Sequence, residues 1–241
     1  MNDKTLSKRL QLVAHYLPQH ANFVDVGSDH AYLPSYVCSQ DLQARAIAGE
    51  INEGPYLSAK QHVAAFGLTD QIEVIQGDGL SVIEGRLVDQ VVIAGMGGTL
   101  IRSILQQGAT KLFHVSRIIA QPNVDAPEVR QWFYQNNYQL VAEEIIKEDG
   151  HIYEILVADK GDPTTPYDEN QLERQLFFGP YLLQEKTEIF IEKWKAEKNK
   201  RERIVTQMHQ AKMINYEKIN MFLNEIKIIE EVLVRDEQST R

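Results

Sequence analysis

One cysteine, Cys38, occurs among 241 residues. No internal disulfide or multi-cysteine metal site can be built from it. A lone buried thiol in a reducing compartment is expected instead. No apolar run approaches the roughly 20 residues of a membrane span. The opening residues MNDKTLSKRL lack the apolar core of a signal peptide, so a cytoplasmic location is expected. Positive charge is scarce, with 25 Lys and Arg against 34 Asp and Glu and a net charge of −9. That balance on its own argues against a nucleic-acid partner. The seven histidines fall at no metal-ligand spacing, so no metal is expected. Glycine and proline are missing from residues 181–235, which removes the usual helix breakers from that stretch.

Hydrophobic residues make up 43% of the chain, enough for a packed core. TLSKRLQLVAHYLP places Leu6, Leu10, Val13 and Leu17 at helical spacing before Pro18. Strand-like and helix-like runs then alternate. NFVDVG, ARAIAGEI, QIEVIQGDG, VDQVVIAG and SRIIAQPN read as five strands. They are continuous apolar runs, as a parallel sheet covered on both faces requires. YLPSYVCSQ, PYLSAKQHVAAFG, GGTLIRSILQQG and APEVRQWFYQNN read as helices. This order predicts a doubly wound, Rossmann-like α/β sheet. YQLVAEEIIKE and HIYEILVADKG, joined across a DG pair, predict a terminal antiparallel hairpin. Such an ending resembles the closing pair of class I methyltransferases. The turn-rich KGDPTTPYDEN places a boundary between a first domain, 1–163, and a helical second domain, 164–241. A single helix over 181–235 would run about 80 Å. A turn at Ala211–Asn215 would give an antiparallel, coiled-coil-like hairpin that buries its apolar stripes better.

The stretch VDVGSDHAYLP, Val24–Pro34, has the position of a nucleotide-binding turn without its later glycines. Gly27 lets backbone approach a ligand. Asp29 would repel a pyrophosphate by roughly 4 kcal/mol at 4 Å and an effective dielectric near 20. S-adenosylmethionine carries an ammonium and a sulfonium, and Asp25 or Asp29 could pair with either. Capping of the next helix by Asp29 is the alternative. Glu50 ends the second strand, 23 positions after Gly27, the offset of an acid that accepts from ribose hydroxyls. Asp78 in QGDGL could accept from an adenine amine. AGMGGT lacks the lysine of a phosphate loop and offers bare backbone with Met96 beside it. Gln121 and Asn123 put two side-chain amides at the same rim. Tyr153 faces either the site or the core.

LSKRL, DVGSDHAYLP, GE, GDGL, AGMGG and QPN, followed by a helical hairpin, together resemble the bacterial tRNA (adenine-22-N1)-methyltransferase family over essentially the whole chain. The resemblance implies a class I methyltransferase domain, S-adenosylmethionine as cofactor, a C-terminal coiled-coil domain and tRNA as substrate. Gly27, Glu50, Asp78 and Gly95 fall on the cofactor-binding motifs. The full candidate cofactor set is Asp25, Gly27, Ser28, His30, Glu50, Ile51, Asp78, Gly79, Ala94, Gly95 and Met96. Asp29 and Asn123 are the catalytic candidates, since methylation moves positive charge onto the adenine and an acidic or amide-rich rim favours that charge.

The run KWKAEKNKRER holds six basic residues against two acidic ones. Lys193, Lys195, Lys198, Lys200, Arg201 and Arg203, with Lys8 and Arg9, are the candidate RNA contacts. A solvated helix face explains the same run. A monomer is expected. A methyltransferase of another RNA, a protein or a small molecule, a nicotinamide oxidoreductase and a non-catalytic dimer-forming module are the competing readings.

Overall fold

The computed structural model describes residues 6–210, 213 and 215–239, and side chains up to residue 234. Seven strands form one sheet: β1 (Asn22–Val26), β2 (Arg45–Glu50), β3 (Ile72–Gln76), β4 (Gln90–Gly97), β5 (Arg117–Val124), β6 (Tyr138–Glu148) and β7 (His151–Lys160). Their spatial order is β3-β2-β1-β4-β5-β7-β6. The first five pair in parallel. β7 runs antiparallel to both β5 and β6. This is the Rossmann-like sheet with an antiparallel closing hairpin that the alternation of runs predicts.

Residue alternation along each strand builds both faces. Val24, Val91, Ile93, Ile118, Ala120, Leu156 and Ala158 belong to one buried cluster. Phe23, Val92, Ile119, Ile155 and Val157 belong to the other. The first cluster includes Ile101 and Leu105 of α4 (Gly98–Gln107), and Val129, Trp132 and Phe133 of α5 (Ala126–Gln135). The second includes Val13 of α1 (Lys8–His15), Leu33 and Cys38 of α2 (Tyr32–Gln40), and Ala59 and Val63 of α3 (Glu53–Ala65). Helices therefore cover both faces of the sheet. Cys38 is buried and free.

The chain divides into two compact units, 1–181 and 182–241. Residues 164–181, expected from the turn-rich boundary to belong to the helical part, lie within the first unit. That segment carries α6 (Leu172–Phe178), with Leu176 and Phe178 buried. α7 spans Pro180–Glu185, α8 Glu188–His209 and α9 Tyr216–Ser239. The helical stretch breaks at 186–187, where no glycine or proline stands. Lys186 adopts φ 43°, and the Thr187 hydroxyl accepts from the Phe190 N–H at 3.3 Å as a new helix cap. A Thr-Glu pair at a helix start carries this signal even without glycine or proline. The expected turn at Ala211–Asn215 lies partly outside the described residues. On its far side, Asn215 Oδ1 caps α9 by accepting from the Lys218 N–H at 3.0 Å. α8 and α9 pack antiparallel through Val205, Met208, Ile219, Phe222 and Ile226.

Candidate active site

Strand order reverses between β1 and β4, which leaves a crevice beyond their carboxyl ends. A cleft of about 380 Å³ opens there. It is lined by Asp25, Gly27, Ser28 and Asp29 from the end of β1, Ala94, Gly95 and Met96 from β4, Asn123 from β5 and Tyr153 from β7, with Arg9, Leu10, Tyr32 and Leu33. Eight of the thirteen candidate cofactor and catalytic residues thus share one wall system.

The first wall is anionic. Asp25 is buried, and the Ser28 hydroxyl donates to its Oδ2 at 2.6 Å. The Asp25 carboxyl is pushed up to about 7: burial is the largest cause, the Ser28 bond opposes it, and the nearby charges of Glu50 and Asp29 add to it. The Asp29 carboxylate is exposed, and Asp29, His30 and Ala31 all take left-handed backbone conformations, with φ of 45°, 65° and 57°. Three consecutive non-glycine residues in that region carry about 1–2 kcal/mol of strain each. Ala31, without a side-chain cap bond, occupies the N-cap of α2. Asp29 therefore does not cap that helix.

Glu50, at the end of β2, is buried, and its Oε1 has no hydrogen-bond partner. Burial pushes its carboxyl above the usual range, and the Asp29 backbone N–H opposes that shift. A buried orphan acceptor at this strand end is an unmet demand for a donor. A ribose hydroxyl meets it, so the residues present fit a nucleoside cofactor. Gly27, at φ 70°, is the other enabling residue, since a Cβ there would overlap Cε of Met96.

The end of β4 is irregular. Its pairing with β5 shifts register at Ala94, Met96 and Gly97, and Gly95 has φ 80°. Such a bulge turns backbone groups out of the ladder. The Gly95 N–H donates to Gln121 Oε1 at 3.0 Å, Gln121 Nε2 donates to Asn123 Oδ1 at 3.2 Å, and Asn123 Nδ2 donates to the Gly95 carbonyl at 2.8 Å. Gly98 does a different job, because a Cβ there would collide with the Asp125 carbonyl.

Other candidates sit elsewhere. His30 is half-buried beside Asp29, with His30 Nε2 3.6 Å from Asp29 Oδ1. Ile51 and Asp78 are exposed at neighbouring strand ends, and Gly79 begins the turn after Asp78. None of these four lines the cleft, and Glu50 adjoins it through the Asp29 loop.

Arg9, by its charge a candidate phosphate contact, turns inward instead. Its N–H and that of Lys8 reach the Glu148 carboxylate, which fixes the start of α1 against β6. The Arg9 guanidinium then enters the cleft, donates to Gln121 Oε1 and lies 5.1 Å from the Tyr153 ring centroid. Nothing local in LSKRL announces this, since the anchor is 140 positions away. In α8, Lys198 pairs with Glu202 and Glu230, Lys200 with Glu197, and Arg201 with Glu197 and Glu225. The Lys193 ammonium lies over the Trp194 ring. Lys195 and Arg203 are exposed.

Residues 23–231 match the TrmK family, described as tRNA (adenine(22)-N(1))-methyltransferase. The tRNA (adenine(22)-N(1))-methyltransferase of Bacillus subtilis is 44% identical over 235 residues, 97% of this chain and 99% of the relative. The crystal structure of the B. subtilis M1A22 tRNA methyltransferase TrmK superposes with a TM-score of 0.89 at 44% identity, covering 95% of this chain and 99% of that one. A Streptococcus pneumoniae protein, Sp1610, solved in complex with S-adenosyl-L-methionine, superposes with a TM-score of 0.82 at 40% identity, covering 95% and 100%.

Proposed function

Because the chain belongs to the tRNA (adenine(22)-N(1))-methyltransferase family, we infer that it methylates N1 of adenine 22 in tRNA with S-adenosyl-L-methionine as donor. The observation that carries this reading is the match to the B. subtilis enzyme along nearly the full length of both chains. The cofactor supplies an electrophilic methyl group on a cationic sulfur. Adenine N1 has an in-plane lone pair and carries no proton at neutral pH, so its attack needs no general base. The protein's tasks are to hold the cofactor, expose the base, align N1 and exclude water.

In this reading Asp25 and Asp29 face the cofactor's positive charges, and Glu50 accepts from its ribose. Gly27 and the Gly95 bulge let it lie against backbone, with Met96 as an apolar neighbour. Ile51, Asp78 and Gly79 would meet the adenine end, and His30 flanks the loop. Asn123 engages both ends of its amide with Gly95 and Gln121, which makes it a positioning residue. Asp29 remains the candidate for steadying charge on the methylated base. Mass mapping of nucleosides from tRNA treated with protein and cofactor should show one new N1-methyladenosine, at position 22. A methyl group on N6, or on another nucleotide, would overturn the assignment.

We place tRNA contact on Lys195 and Arg203, with Lys8 near the cleft, because the other basic residues of α8 already have partners within the helical unit. In sedimentation at about 0.1 M salt the protein should run as a 27.6 kDa monomer and bind tRNA one to one. Joint Lys195→Gln and Arg203→Gln replacement should weaken tRNA binding several-fold and lower the salt slope by about 1–2. An unchanged slope would remove α8 from the RNA interface. No helix among the described residues is long and apolar enough to cross a membrane. A tRNA substrate supports a cytoplasmic place of work.

A further inference from the structure

The amide ring at the end of β5 has a fixed sense. The Gly95 N–H can only donate, so the group of Gln121 that faces it at 3.0 Å is the oxygen. The Gly95 carbonyl can only accept, so the group of Asn123 that faces it at 2.8 Å is the nitrogen. Gln121 Nε2 then donates to Asn123 Oδ1 at 3.2 Å and closes the ring. Ordinarily the two ends of an amide are hard to tell apart. Here two backbone groups of unambiguous character settle both side chains.

A carbonyl oxygen accepts two hydrogen bonds. Gly95 uses one lone pair of Gln121 Oε1, and Arg9 Nη1 uses the other. The two donors differ in kind. Gly95 is backbone within the sheet, whereas Arg9 reaches the oxygen at the end of a long side chain carried by α1. Arg9 also lines the cleft, so it stands between Gln121 and the cavity. Gln121 itself is fully buried. Behind the cleft-lining Arg9, Gly95 and Asn123 thus sits an oriented acceptor whose second position is occupied by a nitrogen donor of the protein's own.

We propose that Gln121 Oε1 is the specificity-determining acceptor for the exocyclic amine of the target adenine, and that Arg9 fills its place when no base is bound. The proposal rests on the methyltransferase reading given above. The amine at C6 adjoins N1, so an acceptor that holds it also sets the direction of the N1 lone pair. Once N1 is methylated, positive charge spreads over the N1–C6–N6 amidine. The bond from N6–H to Gln121 therefore strengthens as the methyl group transfers, which favours the transition state over the bound substrate. The same charge repels the Arg9 guanidinium, so base and Arg9 exclude each other from this oxygen. Departure of Arg9 also uncovers the face of Tyr153, a platform on which a base can stack. Guanine and hypoxanthine carry an acceptor at C6, which leaves Gln121 Oε1 facing another acceptor.

The test uses two ligated tRNAs, one with adenosine and one with purine riboside at position 22, and measures kcat/KM for methyl transfer by the wild type and by Gln121→Met. Purine lacks the amine and has a less basic N1. The basicity change slows both proteins alike, so the difference between their penalties isolates the contact. The adenine-to-purine penalty should be about ten- to a hundredfold larger in the wild type, the range for a hydrogen bond to a group gaining charge. Equal penalties in both proteins would overturn the proposal. If Gln121→Met does not fold, as melting and cofactor affinity would show, Gln121→Glu keeps the acceptor and should keep the wild-type penalty. Loss of the penalty in that variant would also overturn it. Failure of the wild type to methylate the adenosine tRNA would instead count against the function itself.

Discussion

Arg130→Leu is expected to destabilise the protein by about 3–5 kcal/mol and to lower its melting temperature by about 10 °C for a chain of this size. Arg130, Glu143 and Glu154 are almost fully buried together. Arg130 Nε donates to Glu143 Oε1 and Nη2 to Glu154 Oε2, each at 2.6 Å, and Nη1 reaches the Phe177 carbonyl at 3.4 Å. Glu143 Oε2 accepts from the Tyr181 N–H at 3.0 Å. One guanidinium thus ties α5, β6, β7 and residues 177–181 into a single polar knot. Leucine fills much of the volume but leaves two carboxylates buried without their cation. Burial already pushes Glu143 above the usual carboxylate range, and Arg130 is the main influence pulling it back. In the variant both acids should take up protons on folding. The loss should therefore be smaller at pH 5 than at pH 8, because neutral carboxyls tolerate burial better. Calorimetric melts at the two pH values check both parts. A shift under 2 °C, or the same shift at both values, would show that the knot is not what holds this region.

Periodicity made the sheet legible. Continuous apolar runs ending in Gly27, Glu50, Gly77, Gly95 and Asn123 mark five parallel strands, and the DG pair marks the hairpin, because these are local signals. The cleft was legible to the extent that it is built from strand ends. Asp25, Gly27, Ser28, Asp29, Ala94, Gly95, Met96 and Asn123 all line it, since strand order alone carries residues after β1, β4 and β5 to one rim. Long-range pairing was not legible. Arg9 reads as a surface cation until Glu148 anchors α1 and turns the guanidinium inward. The basic run in α8 reads as a patch until Glu225 and Glu230, on the opposing helix, pair with Arg201 and Lys198. Gln121 looks like a strand-ending amide until the Gly95 bulge gives it a direction. In each case the deciding partner lies more than twenty positions away, where neither a period of two nor one of 3.6 can reach.

Cofactor affinity should rise about tenfold between pH 5.5 and 6.5 and level off above pH 7, with the slope abolished in Asp25→Asn. The reason lies in how Asp25 is held. Its carboxyl stands at about 7 against an ordinary 3.8, so between those values the folded protein keeps a proton that the unfolded chain has released. The stability this contributes is fully present below about pH 4 and is lost as pH rises through 7. Its full size is at most about 4 kcal/mol. Burial is the largest cause, and Glu50 and Asp29 face the same carboxyl with like charge. Arg9 lines the same cleft. A ligand bearing an ammonium and a sulfonium reverses this preference, because it favours the ionised acid. Binding below pH 7 must therefore expel close to one proton. Titration calorimetry at pH 6 in two buffers of different ionisation heat counts that proton directly. S-adenosylhomocysteine, which lacks the sulfonium charge, should show a shallower pH slope. The cleft would then favour donor over product most strongly above pH 7, and that preference would shrink under acidic conditions. An affinity that stays flat from pH 5.5 to 7.5 in the wild type would mean that Asp25 remains protonated beneath the bound cofactor, leaving Asp29 and Glu50 as the acids that meet its charge.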